Sequence, residues 1–523
     1  MDAFDDWIAR RMAREGTPGL SIVATDREKT LWAKGYGFAD IAAQQRVTPE
    51  TLFEFGSIGK SFTALLLLRM QERGLVDLTA PVADYLPWFA VKSTYEPITI
   101  EHLLSHTSGI ISGTDFAAEG RYEAWALRDL EVSGPPGVNY AYSNIAYKIL
   151  GYLIEDLLGV SYGEAVTTEI LTPLGMRESV VPITNADRQR IAVAYRWQYN
   201  DRPGHTRYPL VTETWIETGT GDGGIAASAN DMGIYARLLL NRGAGIVSDA
   251  SFEAMIAPIA RVDEPGWWDS YGYGLANWRK DGRAYYGHTG GMIGYTAQLF
   301  IEPDTGIAVV AMVNGPGMVM PFAQEAIDAT RAMIEQREYC PSEITSRQSI
   351  ENAAELEGIY WEDGTSLLLK AVGDGMTVEY DGKSGQAENR PGEMFFVDLP
   401  GFERFLLGVE REGGAIVALT HGPRCFVREG ADLPVPQNVP AEWSAYTGQY
   451  RCYNPWTTPI QIVLRRGKLL AIESDGYETE LFPLTGEHFQ FGEAPTAERM
   501  SFDTIVDGKA LRLIQSGQAM YRV

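Results

Sequence analysis

Cysteine is nearly missing from this chain: Cys340, Cys425 and Cys452 are the only three in 523 residues, widely spaced and without a CxxC pair. So sparse and odd a set argues against a disulfide framework and fits reduced thiols in a cytoplasm. Histidine is also scarce, with six residues. His102 and His106 stand four apart, but Leu103 occupies the place of the glutamate in H-E-x-x-H and no third ligand suggests itself. They read as structural, and no metal is expected. Basic residues are short as well: 44 Lys and Arg against 69 Asp and Glu, a net charge of −25. That charge repels phosphate backbones and anionic lipid, which argues against nucleic acid and membrane surfaces as partners. No apolar run approaches the length that spans a bilayer; Leu65 to Leu68 and Ile307 to Val313 are core-sized. The acidic start, Met1-Asp2-Ala3-Phe4-Asp5-Asp6, has no basic n-region followed by an apolar stretch and does not read as a secretory signal. A cytoplasmic location is the expectation.

What is present is globular composition, 45% hydrophobic and 22% charged, in a chain long enough for two to four domains. Residues 1 to about 335 read as one α/β unit. Leu20–Thr25 and Thr30–Gly37 form a hairpin around the polar turn Asp26–Lys29. An apolar helix runs from about Ser57 to Arg73, closed by Gly74, and is apolar nearly all round, hence central and buried. Helices are also predicted over Asn144–Leu158 and after Ser228, where Ser-Ala-Asn-Asp resembles a capping box with Asp in place of Glu. Thr296–Ile301 and Gly306–Asn314 look like paired strands around Glu302-Pro303-Asp304-Thr305-Gly306.

After a polar connector near Glu338–Ser349 no convincing helix appears, and short strands alternate with Gly, Asp and Pro turns. Laid over itself with a shift of roughly 90 to 95 residues, this region repeats. Gly358-Ile359-Tyr360 meets Gly448-Gln449-Tyr450, Gly392 to Phe395 meets Gly486 to Phe489, Glu403-Arg404 meets Glu498-Arg499, and Gly422 with Arg428 meets Gly517 with Arg522. Copies of that length with many short strands predict two small antiparallel barrels. The expected layout is a first domain over 1–337, a linker over 338–350, and lipocalin-like β-barrels over 351–432 and 440–523.

Three motifs carry chemistry. In Gly56-Ser57-Ile58-Gly59-Lys60, positions i and i+3 share a helix face, so the Lys60 amine can reach the Ser57 hydroxyl. An amine whose pKa is lowered by burial and by the helix N-terminus can accept the serine proton. The Ser-x-x-Lys pattern is common by chance, but here it opens the most apolar helix, where an unpaired ammonium is costly. Tyr142-Ser143-Asn144 opens another helix. A phenol near an ammonium loses its proton more easily, so Tyr142 could relay a proton, and Asn144 offers donor and acceptor to a substrate amide. The bland reading is a packing tyrosine. Gly287-His288-Thr289-Gly290-Gly291 precedes a strand, where small residues let a substrate lie against the edge and main-chain N–H groups can bind an oxyanion. His288 adds a tunable group; the bland reading is a Gly-rich hairpin with a surface histidine.

In this order the motifs resemble the serine hydrolases related to class C β-lactamases, penicillin-binding proteins and D-aminopeptidases. Gly35 to Asp40, Thr99 to Gly109 (TIEHLLSHTSG), Pro173 to Met176 and Gly223-Gly224 are similar too. The resemblance covers about residues 5 to 320. It implies an α/β class of fold, an antiparallel sheet flanked by helices plus a helical region, and an acyl-enzyme on Ser57. Lys60 and Tyr142 would be the general acid/base pair, with the N–H groups of Ser57 and Gly291 as oxyanion hole. Thr289 and Gly290 would line the substrate. Position 288 departs from the lysine usual in β-lactamases and cell-wall peptidases; histidine there is similar to D-aminopeptidases and some esterases of the family, and the pair of barrels looks like the three-domain D-aminopeptidase layout.

Gly219-Thr220-Gly221-Asp222-Gly223-Gly224 fits G-x-G-x-x-G, but it lacks the preceding strand and following helix of a dinucleotide site. Asp222 could hold the α-ammonium of a peptide, or be a solvated turn aspartate. The leading expectation is a peptidase or amidohydrolase for short peptides, with D- or otherwise unusual residues; a linear microcystin-type peptide hydrolase would be one such member. A carboxylesterase of the same family and a silent binding protein with the same fold stand beside it. No cofactor is expected. The expected partner is a small peptide or ester substrate, and homo-oligomerisation stays open.

Overall fold

The structure is a computed structural model that describes residues 1–113, 120–262, 268–436, 438–484, 488–493 and 496–523. It divides into two compact units, one built chiefly from Met1–Arg196 and Leu210–Ser342, the other from Trp197–Pro209 and most of the chain from Glu343 onward.

In the first unit, the described residues form a nine-stranded sheet. Its centre is Thr30–Asp40, Gly19–Thr25, Ile307–Val313, Tyr295–Glu302, Arg283–Met292 and Ala276–Lys280, in that spatial order and antiparallel throughout. Every residue of Gly19–Thr25 and Ile307–Val313 is buried, which explains why they read as continuous apolar runs. A strand covered on both faces has no wet side to carry alternating polar residues. The predicted hairpin is present, and Asp26 Oδ1 closes its turn by accepting from the backbone N–H of Glu28 (2.7 Å) and Lys29 (2.8 Å). Asp2–Glu15 and Val319–Ile334 pack together, with Trp7 edge-on to Phe322. Ala229–Leu240 packs on Gly19–Thr25 and Ile307–Val313.

The remaining helices make one apolar mass around Gly59–Glu72, of whose fourteen residues eleven are buried. Arg73 caps it and Gly74 follows at φ +72°, as the glycine stop predicted. Asn144–Leu158 forms with the predicted bounds. At Ala229–Leu240 the N-cap holds, since Ser228 Oγ accepts from Asp231 N at 3.1 Å. The reciprocal half of the capping box does not form. Asp231 instead turns its carboxylate to the N–H groups of Glu178 and Ser179, both at 2.8 Å, so a tertiary contact takes the acceptor that the capping box would use.

The second unit contains two closed eight-stranded antiparallel barrels, Gly358–Arg428 and Gly448–Arg522 in their strands. Each is preceded by one helical turn that sequence patterning passed over, Ala353–Leu356 and Trp443–Tyr446, too short to carry a period. The repeat is structural. Tyr360 pairs with Arg428 and Tyr450 with Arg522 across the closing strands. Both tyrosines are buried and donate to a carbonyl four residues back, Leu356 O at 2.8 Å and Tyr446 O at 2.7 Å. Phe395 and Phe489 occupy matching core positions, whereas Gly486 and Glu487 lie outside the described residues.

Candidate active site

Ser57 sits in a single helical turn, Gly56–Ile58, that runs straight into Gly59–Glu72. Gly56 adopts φ +55°, and a Cβ there would lie 2.4 Å from Gly291 O and 2.7 Å from Gly291 N. Gly290 is held equally close, its absent Cβ 1.8 Å from Phe55 O and 3.4 Å from Ser57 N. Only glycines let the serine turn and the strand Arg283–Met292 touch backbone to backbone. The neighbouring strand Ala276–Lys280 pairs no further than Gly287, so His288–Met292 has Tyr295–Glu302 on one side and an open edge towards Ser57 on the other. Nothing lies within 4 Å of where a Gly291 side chain would be, and this residue is exposed.

Lys60 lies one turn on from the serine and is fully buried. Its Nζ stands 2.9 Å from Ser57 Oγ, 2.7 Å from Asn144 Oδ1 and 2.9 Å from the carbonyl oxygen of Asp222. Burial lowers its pKa to about 7; the Asp222 charge opposes this and the Lys148 charge adds to it. Near neutrality the amine form keeps two N–H groups for the two carbonyl oxygens and turns its lone pair to the serine hydroxyl.

The Tyr142 phenol stands near enough to Ser57 to feel its hydroxyl, and its ring centroid lies 4.9 Å from Lys60 Nζ. Here the structure departs from expectation. Burial pushes the phenol well above its ordinary pKa, outweighing the lowering influence of the nearby Ser57 hydroxyl, and the Asp222 charge pushes the same way as burial. Tyr142 is therefore a neutral proton donor at neutral pH, because a phenolate cannot be solvated there.

His288 is buried, not a surface residue of a Gly-rich hairpin. Burial and the Lys60 charge lower its pKa to about 3, so it is neutral. Its Nδ1 meets the Thr289 carbonyl and its Nε2 lies 2.8 Å from the Tyr271 hydroxyl, an arrangement that places the proton on Nδ1 and lets Nε2 accept from Tyr271. Thr289 is partly exposed beside it.

The Gly219–Gly224 segment has the role of a spacer. A Cβ on Gly221 would fall 2.4 Å from Tyr147 O, and one on Gly223 would fall 2.7 Å from Gly56 C. Lack of side chains lets this loop slide between the serine turn and Asn144–Leu158, delivering the Asp222 carbonyl to Lys60. The Asp222 side chain is no solvated turn carboxylate either: its Oδ1 is buried without a hydrogen-bond partner.

Of the two histidines set aside, His102 completes a capping box with Thr99, its Nδ1 accepting from Thr99 N at 3.1 Å. His106 is a site residue that sequence reasoning missed. It stands buried at φ +56°, its Nδ1 accepts from Ser143 N at 3.1 Å, and its ring is 4.3 Å from that of Tyr142. The only signal was its place in TIEHLLSHTSG, ahead of Tyr142 by many residues. Tyr271, which orients His288, carried no sequence signal. Among the described residues no group of His, Cys, Asp and Glu could hold a metal ion.

A hydroxyl and a buried amine on one helical turn, with a neutral phenol and an open strand edge beside them, are the parts a serine hydrolase needs. The chain belongs to the family described as Beta-lactamase, which matches residues 4–332. An unguisins hydrolase, ungD', of Aspergillus campestris is 30% identical over 335 residues, 60% of this chain and 61% of that protein. Penicillin-binding protein 4 of Amycolatopsis lactamdurans is 30% identical over 51% of this chain and 74% of its own length. An octameric penicillin-binding protein homologue from Pyrococcus abyssi has the same fold, with a TM-score of 0.61 at 24% identity, covering 82% of this chain and 99% of that one. A D-amino acid amidase of Ochrobactrum anthropi shares the fold at a TM-score of 0.54 and 22% identity, over 64% of this chain and 98% of that one. No helix of the described residues is long and apolar enough to cross a membrane.

Proposed function

We propose that this enzyme cleaves an amide bond in short peptides, including ones with D- or otherwise unusual residues, through an acyl-enzyme on Ser57. The observation that carries the reading is Lys60: buried, pKa about 7, and 2.9 Å from the serine oxygen. In the amine form it takes the Ser57 proton as Oγ attacks the substrate carbonyl. The N–H groups of Ser57 and Gly291 receive the oxyanion at the open strand edge. Tyr142 then gives its proton to the departing amine and is recharged from the Lys60 ammonium, leaving the acyl group on Oγ. Water enters by the reverse relay and releases the acid. A neutral phenol beside Ser57 favours amides, whose leaving amine must be protonated as the C–N bond breaks.

Asn144 Nδ2 is the donor left for a substrate carbonyl, since its Oδ1 is held by Lys60. The orphan Asp222 carboxylate oxygen suits a peptide ammonium. Thr289 and Gly290 line the substrate's path along the edge. A neutral His288 cannot grip a substrate carboxylate by charge, which separates this site from those with lysine there. The 30% identity to a protein named as a hydrolase of unguisins supports a hydrolytic reading. Three unpaired cysteines support a reducing compartment such as the cytoplasm.

The test pairs intact mass with substrate panels. A fluorophosphonate should add one adduct to the enzyme and none to Ser57→Ala. D-aminoacyl anilides should be turned over; hydrolysis of short-chain esters with every anilide left intact would make it a carboxylesterase instead. No adduct and no turnover would leave a binding protein.

A further inference from the structure

The first unit has a half-open pocket of about 720 Å³ whose walls include none of the residues that the reaction uses. Its walls are mostly apolar, among them Ile41, Ile191, Val193, Leu210, Ile216 and Ile293. That volume is in the range of small-molecule sites, which are apolar clefts with few polar groups.

Most of its titratable groups are already engaged. Asp40 accepts from Ala43 N at 3.0 Å, and the Tyr195 hydroxyl accepts from Ile41 N at 2.8 Å. Glu213 is paired with Arg196 at 3.3 Å. The Tyr295 hydroxyl donates to Ala192 O. Three groups are left. Arg188, at an exposed position, lies with its guanidinium carbon 5.5 Å from the Trp215 ring centroid and has no carboxylate partner among the described residues. Trp215 has its indole N–H buried without an acceptor. Glu54 is 3% exposed and has neither cation nor hydrogen-bond partner among the described residues. Burial alone pushes its carboxyl up to about 8, so at neutral pH it is a neutral acid with an O–H free to donate. All three are donors, and all three lack an acceptor. A mostly apolar pocket whose walls carry an arginine fork and two spare N–H or O–H donors is complementary to one kind of molecule.

We propose that this cavity binds a small amphipathic acid, an apolar body lying against Ile191, Val193 and Ile293 with its carboxylate on Arg188 and within reach of Trp215 and Glu54. The site stands whether or not Ser57 acts on peptides, because none of its groups is in the relay.

Isothermal titration with octanoate, below its micellar range, tests this on the full-length enzyme, with octylamine and octanol as the other arms. Octanoate should bind one to one at pH 7 at least tenfold more tightly than either. Arg188→Gln, an exposed change that leaves the thermal midpoint in place, should weaken it about tenfold. Above pH 8 binding to the wild type should fall as Glu54 ionises, and Glu54→Gln should remove that fall while keeping the pH 7 affinity. No octanoate binding up to ~10 mM, where even a millimolar site would be mostly filled, tighter binding of octylamine, or indifference to Arg188→Gln would each overturn the proposal.

Discussion

At Lys60, burial and charge pull in opposite directions. Burial lowers the pKa to about 7, while the Asp222 carboxylate holds it from falling further. For the reaction this sets the acid limb: kcat/KM on an amide should rise about tenfold per pH unit below 7 and level off above it, since only the amine accepts the serine proton. A profile flat from pH 5 to 8 would contradict the assignment. Asp222→Asn removes the raising charge, so the limb should move to lower pH even if KM rises. For stability the sign is the reverse of a salt-bridged lysine. Between about 7 and the ordinary 10.5 the unfolded chain binds more protons than the folded one, so stability climbs with pH across that window. Lys60→Met should flatten that climb in urea titrations while abolishing turnover. Tyr142→Phe keeps the ring and loses the proton donor. It should lower kcat on anilides by roughly 10²–10³ and spare esters with acidic leaving groups, measured side by side.

Helices and strands here follow from pattern when one residue decides their ends, and fail when two must cooperate. Gly74 and Gly159, both at positive φ, stop their helices where the sequence places them. Ser228 starts its helix for the same local reason, whereas Asp231 answers to partners some fifty residues away, at Glu178 and Ser179. The contact between the serine turn and the strand Arg283–Met292 is also a two-element affair. Gly56→Ala adds a Cβ 2.4 Å from Gly291 O at φ +55°. The conformation alone costs about 1–2 kcal/mol, and pushing Gly291 away should lower kcat by about 10² or more through a spoiled oxyanion site. Circular dichroism should stay native; a fully active Gly56→Ala would show that the two backbones need not touch.

Across the molecule, two compact units predict that heat unfolds the chain in more than one step. Leu66→Ala, in the helix behind the serine, and Leu513→Ala, in the second barrel, each remove a buried leucine and should cost about 2–5 kcal/mol. Calorimetry should show each displacing a different transition; a single transition moved equally by both would mean one cooperative block. Within the barrels Arg522 donates to the carbonyls of Ala445, Thr447 and Ala510, and Arg428 to that of Glu357. The repeated Tyr–Arg closure was legible because both copies keep it at matching places.

The amino-acid order alone determined the parts of the proposed chemistry: a serine and lysine three apart, a tyrosine at a helix start, and a glycine-lined strand. It also determined the duplicated barrels, because local spacing, turn residues and self-similarity are properties of a one-dimensional string. Only the tertiary structure decided the state of those parts. That Tyr142 is a neutral donor, His288 a neutral buried ring, and Asp222 a contributor of its carbonyl depends on how much water each loses and which charges face it. Those quantities arise when distant segments pack, and no spacing encodes them.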